Sequence, residues 1–254
     1  MASRAENRRG SLWVILDRPH TSNSITGDEL DLLESAIHTA ACDSSVTSIV
    51  ISGSGGSFSG GVDLHMASNM IPRDLADFLT RLQTIYRAIE TCTCPVIAAV
   101  DGTSVAGGFE LVMCCDIVIA SRRARFADGH AAVGLVPSGG STFRLPRLIG
   151  PNKARELLYT GRFADVDELE RAGLVNIVVD SEKLESSVTA MTDTLARRSR
   201  LTTERMKELV DRGYGLSTED AITSEVAVAL AHRGTPDAEE GLAAFLDRRP
   251  PRFG

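Results

Sequence analysis

The sequence is short of positive charge, of aromatic side chains and of long hydrophobic runs. It has 27 lysines and arginines against 34 acidic residues, a formal net charge of −7, and only 5% aromatic residues. Because the basic residues form no stripe, this balance argues against nucleic acid as a partner. No apolar run approaches the roughly 20 residues that cross a bilayer, and the first ten residues lack the apolar stretch of a signal peptide. We therefore expect a cytoplasmic protein that binds neither nucleic acid nor a membrane.

Cysteines are also few, and their spacing is irregular. The five are Cys42, Cys92, Cys94, Cys114 and Cys115, and none forms a C-x-x-C pair. The Cys92-Thr93-Cys94 spacing is too short for an ordinary zinc pair, and no histidine cluster has metal-ligand spacing. The pattern predicts reduced thiols and no bound metal.

What is present predicts an α/β fold in two parts. Five apolar runs are typical of buried strands, and amphipathic helices are interleaved with them: Leu12–Leu16, Val46–Ile51, Pro95–Val100, Asp116–Ala120 and Val175–Val179. Alternating strands and helices favour a parallel sheet. After about Arg198 the pattern predicts only helices, at Leu201–Val210, Ser217–His232 and Pro236–Leu246. We therefore divide the chain into an α/β core, residues 1–197, and a helical C-terminal region, residues 198–254.

Two helices in the first part are predicted from local signals. Thr26 and Glu29 form a capping box, in which each satisfies a backbone amide of the other. A second amphipathic helix is predicted over residues 73–90, with apolar side chains on one face.

The most informative stretch of the sequence runs from Pro95 to Gly140. Its pattern indicates a buried strand, a glycine-rich turn, an apolar helix, a second buried strand and a second glycine-rich turn. Gly107-Gly108 would open the helix, where backbone amides without intrahelical acceptors suit an oxyanion. Glu110 lies among apolar neighbours, and a buried carboxyl group with a raised pKa can act as a base or an acid near neutral pH.

Other glycine-rich motifs in the sequence do not match their usual functions. Gly53-x-Gly55 lacks the third glycine of a dinucleotide fingerprint, and no Lys-Ser or Lys-Thr follows to make a P-loop. Residues 102–106 lack the final glycine of a nucleophile elbow. These mismatches disfavour a nucleotidase and a serine hydrolase.

Two motifs resemble those of the crotonase (enoyl-CoA hydratase/isomerase) superfamily. The F-x-x-G-x-D-[LI] loop is matched by Phe58–Leu64, and the G-G-x-E turn by Gly107–Glu110. Further matches lie at Asp17–Pro19 with Asn23, Arg125-Phe126, Gly134–Pro137, Leu145–Gly150, Ala172–Val175 and Ala244–Leu246. The resemblance covers nearly the whole chain in order. It implies that residues 1–197 form a spiral of ββα turns with the active site. It also implies that residues 198–254 are a helical oligomerisation region, which joins subunits into a homotrimer or dimer of trimers.

The same resemblance implies an acyl-CoA substrate, with coenzyme A as part of the substrate and no separate cofactor. It implies that the backbone amides of Gly60 and Gly107 bind the thioester oxygen, where charge develops during the reaction. Glu110 would be the main acid/base group. The residues that the resemblance implies for CoA and substrate binding are His20, Ser22, Ser24, Gly60, Gly61, Val62, Asp63, Phe245 and Arg248.

One position departs from the hydratase pattern. Where hydratases carry a second glutamate, this chain has His130, and Asp128 lies two residues before it. Histidine can transfer a proton, and Asp128 could supply the acid or orient the imidazole. Some members of the superfamily with a histidine near this turn cleave carbon–carbon bonds in β-diketones. Three functions therefore stay open: an enoyl-CoA hydratase or isomerase, a carbon–carbon bond hydrolase, and a catalytically silent acyl-CoA-binding paralogue.

Overall fold

The computed structural model describes residues 2–253, and its strands form two sheets. The larger sheet has the order β1 (Arg4–Arg8), β2 (Ser11–Leu16), β3 (Ser48–Gly53), β5 (Val96–Val100), β7 (Ile117–Ser121) and β10 (Ile177–Val179). The smaller sheet has the order β4 (Ser57–Ser59), β6 (Thr103–Val105), β8 (Arg125–Ala127) and β9 (Ala164–Asp165). Neighbouring strands are parallel except in the pairs β1–β2 and β8–β9.

The α-helices follow the strands along the chain. They are α1 (Gly27–Cys42), α2 (Leu64–Ser68), α3 (Pro72–Glu90), α4 (Gly107–Met113), α5 (Ser141–Ile149), α6 (Pro151–Thr160), α7 (Val166–Arg171), α8 (Leu184–Leu195), α9 (Arg200–Gly213), α10 (Thr218–Arg233) and α11 (Pro236–Leu246). Short 3₁₀ helices lie at Pro19–Thr21, Ala131–Val133 and Ser181–Lys183.

The chain alternates between the two sheets, which confirms the predicted spiral. The successive pairs β3–β4, β5–β6 and β7–β8 each place one strand in the larger sheet and the next in the smaller sheet. One or more helices follow each pair before the chain returns to the larger sheet. The α/β fold of ββα turns is therefore as predicted.

Both faces of the larger sheet are buried, which explains its continuous apolar runs. In β2, Val14 and Leu16 belong to one apolar cluster, whereas Trp13 and Ile15 belong to a second cluster. Successive side chains on a strand point to opposite faces, so the strand is apolar throughout when both faces are covered. Helix α8 contributes Leu184 and other residues to the second cluster.

The local helix signals are confirmed. Thr26 and Glu29 form the predicted capping box at the start of α1. Helix α3 begins at Pro72, one residue before the predicted start, and its buried side chains are Phe78, Leu82, Ile85, Tyr86 and Ile89.

The three C-terminal helices are present where the sequence predicts them, and they bury little. Neither α9 nor α10 has a fully buried residue, and α11 has only Ala244. Large apolar side chains are exposed along them: Met206, Val210, Tyr214, Leu216, Ile222, Val226, Leu230, Leu242, Phe245 and Leu246. The division of the chain near residue 198 stays a prediction.

Residue patterns do not predict β1 or the strands of the smaller sheet. β1 is polar and pairs antiparallel with β2 along its whole length. The strands of the smaller sheet have only two or three residues each, which is too few for a periodicity of two to be recognised.

Candidate active site

The candidate site lies at the carboxyl edge of the smaller sheet. Strands β4, β6 and β8 are parallel neighbours, so the segments that follow them leave the sheet at the same edge. These segments are residues 60–63, residues 106–107 and residues 128–130. The fold therefore brings together three segments that the sequence analysis singled out separately.

The backbone amides at this edge correct one prediction. The N–H of Gly60 donates to the carbonyl oxygen of Ser22 at 2.7 Å, so this amide is not free to bind a ligand. Among residues 2–253, the N–H groups of Val62 and Gly107 have no hydrogen-bond acceptor. The predicted role of the Gly60 amide therefore does not fit its hydrogen bond to Ser22, and the free amide of this loop beside Gly107 is that of Val62.

The two free amides belong to loops that approach very closely. A Cβ atom added to Gly107 would lie 3.2 Å from the Val62 nitrogen. A Cβ atom on Gly61 would lie 2.7 Å from the Gly107 nitrogen, and Gly61 also has a φ of +88°. Only glycine at position 61 permits both this conformation and this approach.

The residue before Gly107 has an unusual backbone conformation. Ala106 has φ 48° and ψ −120°, a combination that residues with a Cβ atom rarely adopt. Its N–H donates to the carbonyl oxygen of Ala127 at 2.9 Å, which holds the end of β6 against the end of β8. Such strain persists only where surrounding contacts enforce it, and it is frequent beside functional groups.

Glu110 is buried in α4, and one of its carboxylate oxygens is firmly held. Oε1 accepts hydrogen bonds from the Gly139 N–H at 2.8 Å and from the Ser141 N–H and Oγ, each at 3.1 Å. Within residues 2–253 no group donates to Oε2. Burial raises the pKa of Glu110, and the opposing effects of Ser141 and His130 only partly offset it. The carboxyl group therefore exchanges a proton closer to neutral pH than an ordinary glutamate.

The second glycine-rich turn supports Glu110, a role that the sequence did not reveal. A Cβ atom on Gly139 would lie 2.1 Å from Oε2 of Glu110. Arg144, which is buried, donates from Nη1 to the Gly139 carbonyl oxygen at 2.6 Å. Its other nitrogens bind both carboxylate oxygens of Glu90, at 2.5 and 3.0 Å. The only sequence signal was the pair of glycines in the turn, which does not identify its partner.

His130 and Asp128 form a hydrogen-bonded pair. The His130 Nδ1 atom lies 3.0 Å from Oδ1 of Asp128, and the other ring nitrogen, Nε2, takes no part in this contact. Burial disfavours the charged imidazole, but Asp128 outweighs it and raises the pKa of His130. Burial also acts to raise the pKa of Asp128, yet the hydrogen bonding and the charge of His130, together with Ser141, outweigh that effect and lower it. The pair therefore favours an aspartate beside a protonated imidazole.

Comparison with known proteins agrees with this geometry. A family model described as enoyl-CoA hydratase/isomerase matches residues 6–254. The chain belongs to the enoyl-CoA hydratase/isomerase family.

Relatives of this family match the chain over almost all of its length. A crotonyl-CoA hydratase from Syntrophomonas wolfei is 35% identical and covers 94% of this chain and 93% of its own. A probable mitochondrial enoyl-CoA hydratase from Dictyostelium discoideum is also 35% identical, over 94% of this chain and 86% of its own. The crystal structure of an enoyl-CoA hydratase from Bacillus anthracis has a TM-score of 0.96 at 27% identity, covering 100% of this chain and 99% of its own. The predicted crotonase superfamily is thus confirmed.

Some of the first group of residues predicted to bind CoA, near the N-terminus, make hydrogen bonds within the protein. His20 and Ser22 are exposed, next to the loop that follows β4. Ser24 is buried, and its Oγ donates to Oδ2 of Asp63 at 3.1 Å. Asp63 also accepts a hydrogen bond from the Met66 N–H at 3.0 Å and so caps α2. The side chains of Ser24 and Asp63 therefore shape the loop, and CoA binding here stays a prediction.

The second group lies at the end of the family's C-terminal region. Phe245 is 78% exposed on α11, and Arg248 is exposed just after that helix. The N–H of Arg248 donates to the Phe245 carbonyl oxygen at 3.2 Å. Within residues 2–253, no hydrogen bond or ion pair joins either residue to the site loops, and their role also stays a prediction.

Two features are absent from residues 2–253. Across residues 2–253, no helix combines the length and apolar character that a bilayer crossing requires. The same residues contain no group of three or more histidine, cysteine, aspartate or glutamate side chains placed to hold a metal ion.

Proposed function

We propose that this protein acts on acyl-CoA thioesters as an enoyl-CoA hydratase or isomerase. The observation that carries the proposal is the position of a buried carboxylate, Glu110, on the helix that begins with a free amide, Gly107. A second free amide, that of Val62, lies against the first. Two fixed N–H donors stabilise negative charge on a thioester oxygen without reorganisation, and each is worth about 3 kcal/mol in comparable sites.

The residues divide the chemistry of hydration between them. Glu110 accepts a proton from water, and the hydroxide adds to the β-carbon of the enoyl group. The electron pair of the double bond moves to the thioester oxygen, which the Val62 and Gly107 amides hold. The enolate then takes a proton at the α-carbon, and His130 is the second proton-transfer group. Isomerisation needs the same enolate, with Glu110 removing a proton from one carbon and returning it to another.

The proposal can be tested by following a short trans-2-enoyl-CoA spectrophotometrically. We expect the conjugated absorbance to fall as the double bond is hydrated, and to recover from the 3-hydroxyacyl-CoA in reverse. A 3-enoyl-CoA tests isomerisation by the appearance of the same absorbance. The Glu110→Gln variant is the matched control, and turnover of neither substrate by the native protein would refute the proposal.

One observation favours a second candidate, a carbon–carbon bond hydrolase of β-diketone-like substrates. The Asp128–His130 hydrogen bond orients the imidazole and favours its charged form, an arrangement suited to proton donation to the carbon leaving group during bond cleavage. A matched β-diketone assayed beside the enoyl-CoA discriminates the two functions. Cleavage of the diketone with no hydration of the enoyl-CoA would select the hydrolase. Acyl-CoA binding without turnover of either would select the silent paralogue.

We also propose a homotrimer or dimer of trimers, with the C-terminal helices packed between subunits. Support comes from the large apolar side chains that α9, α10 and α11 leave exposed, because such patches usually mark interaction surfaces. Light scattering at micromolar concentration tests this, and a monomer alone would contradict it. We propose further that the protein acts in fatty acid metabolism and needs no cofactor beyond the coenzyme A of its substrate. A cytoplasmic location is also proposed, in keeping with five unpaired cysteines.

A further inference from the structure

Two cysteines that the proposed reaction does not use lie side by side. Cys92 and Cys94 are in the irregular loop between α3 and β5, and their Sγ atoms are 3.8 Å apart. A disulfide requires about 2.05 Å. Since neither residue lies in a helix or a strand, the sulfurs can approach without breaking regular secondary structure.

The two thiols differ in access. Cys92 is 6% exposed and lines a surface cavity of about 340 Å³ between the end of α3 and helix α9, whereas Cys94 is 0% exposed and lines no part of it. A small disulfide can therefore reach Cys92 first. Cys94 is placed to react only with Cys92.

The two thiols also differ in acidity. The hydrogen bond from Cys94 lowers the pKa of Cys92, with a contribution from the ammonium group of Lys207. The same contact, together with burial, raises the pKa of Cys94. Lys207 Nζ lies 3.4 Å from the Cys94 carbonyl oxygen and 2.6 Å from Oδ2 of Asp116, so the cation is fixed beneath the loop. The thiolate is the reactive form, so the accessible sulfur is also the nucleophilic one.

We propose that Cys92 and Cys94 form a redox-active dithiol that reacts with disulfides, separately from the acyl-CoA site. The Cys92 thiolate attacks one sulfur of an external disulfide, and the other sulfur leaves as a thiolate. Cys94 then gives up its proton, attacks the Cys92 sulfur and expels the second half of the external molecule. The protein dithiol loses two electrons, and the external disulfide gains them as two thiols.

Cys114 and Cys115 lack this arrangement. Cys114 and Cys115 are adjacent at the end of α4, and their thiols bond separately to the carbonyl oxygens of Glu110 at 3.1 Å and Leu111 at 3.4 Å. Burial raises the pKa of both thiols, which keeps them protonated. They provide an internal control within the same protein.

The experiment uses the folded full-length Cys42→Ser variant. This substitution removes the exposed cysteine and keeps the other four of the five. The variant is incubated in the folded state with oxidised glutathione, and the remaining thiols are alkylated after denaturation and counted by intact mass. We expect two thiols to be lost and a Cys92–Cys94 bond to form. Trypsin leaves all four cysteines in one peptide, because no lysine or arginine lies between Arg87 and Arg122. A second cleavage at Asp101 separates the two pairs.

Two variants test the order of the steps. Cys94→Ser should stop at a mixed disulfide on Cys92 and gain the mass of one glutathione. Cys92→Ser should not react. Retention of all four thiols, a bond to Cys114 or Cys115, or a bond between Cys92 residues of two chains would overturn the proposal. If a serine variant does not fold, the Cys42→Ser measurement still decides.

Discussion

The two halves of the candidate site are held in different ways. The amide half, Val62 and Gly107, is set by backbone geometry and by the absence of a side chain at Gly61. The side-chain half depends on the charges and hydrogen bonds around Glu110 and His130. A methyl group added at Gly61 should therefore impair the amide half. The side-chain half should lose activity when a group that carries a proton is removed.

The largest effect is expected from Glu110→Gln. Glutamine keeps the volume and can still accept the hydrogen bonds from Gly139 and Ser141, but it cannot take a proton. We expect kcat to fall by about 10²–10⁴-fold, the usual contribution of a general acid–base group, with little change in Tm. His130→Ala should cost only about tenfold on the same scale. Steady-state kinetics of both variants check this. If His130→Ala abolishes activity while Glu110→Gln leaves it intact, the hydratase or isomerase assignment fails.

A comparison of two adjacent glycines tests the amide half. In Gly61→Ala the new methyl group meets the Gly107 nitrogen and the φ of +88° is unfavourable, so the two loops must separate. We expect kcat to fall by about 10²–10³-fold, as when one oxyanion donor is lost.

Gly60→Ala is the matched control for this substitution. Its nearest contact would be an ordinary 3.4 Å to the Ser22 Cβ, and its φ is not positive. Its kcat should stay close to that of the native protein, and Tm should be recorded for both variants. If both variants lose the same fraction of kcat, the result would indicate that the Gly60 amide is an oxyanion donor after all.

The pH profile tests the side-chain half. Because the pKa of Glu110 is raised, its base form should be lost at a higher pH than for an ordinary glutamate as the pH falls. Because the pKa of His130 is raised above about 6.5, its acid form should persist further as the pH rises. Asp128→Asn removes the negative charge, so the alkaline limb of kcat should move to lower pH. An alkaline limb that does not move would show that His130 is not the acid.

The smallest effect is expected from Tyr86→Phe. The buried Tyr86 hydroxyl donates to the Gly107 carbonyl oxygen at 2.7 Å and so supports the amide half from behind. Its loss should lower stability by about 1 kcal/mol, the net value of such a bond, and kcat by less than about tenfold. Thermal unfolding and kinetics measure the two effects. A much larger loss of kcat with unchanged Tm would indicate that the phenol contacts the substrate.

Predictions from the sequence succeeded where a local pattern determines the structure. The run Val96–Val100 is apolar because both faces of its sheet are covered, and Glu110 is conspicuous because its neighbours are apolar. The Thr26–Glu29 capping box is also a local signal. Each of these can be recognised within a few residues of sequence.

Predictions failed where the structure depends on distant partners. Which amide of the loop 60–62 is free depends on the Ser22 carbonyl oxygen, which accepts from Gly60, and no pattern in the loop itself shows this. Gly139, which donates to Glu110, lies 29 residues after it in the sequence. Arg144 holds Gly139 and pairs with Glu90, which is 54 residues away from it. These contacts follow from the tertiary fold alone.

The order of the site residues along the chain has a consequence for biosynthesis. The groups from Val62 to Ser141 come from consecutive turns of the spiral, whereas the three C-terminal helices, which bury almost no residue, begin at Arg200. Chains emerge from the ribosome N-terminal end first, and folding proceeds in that direction. The smaller sheet and its loops can therefore fold before the C-terminal helices have been synthesised. The apolar surface of α9, α10 and α11 is then exposed only after the site has formed.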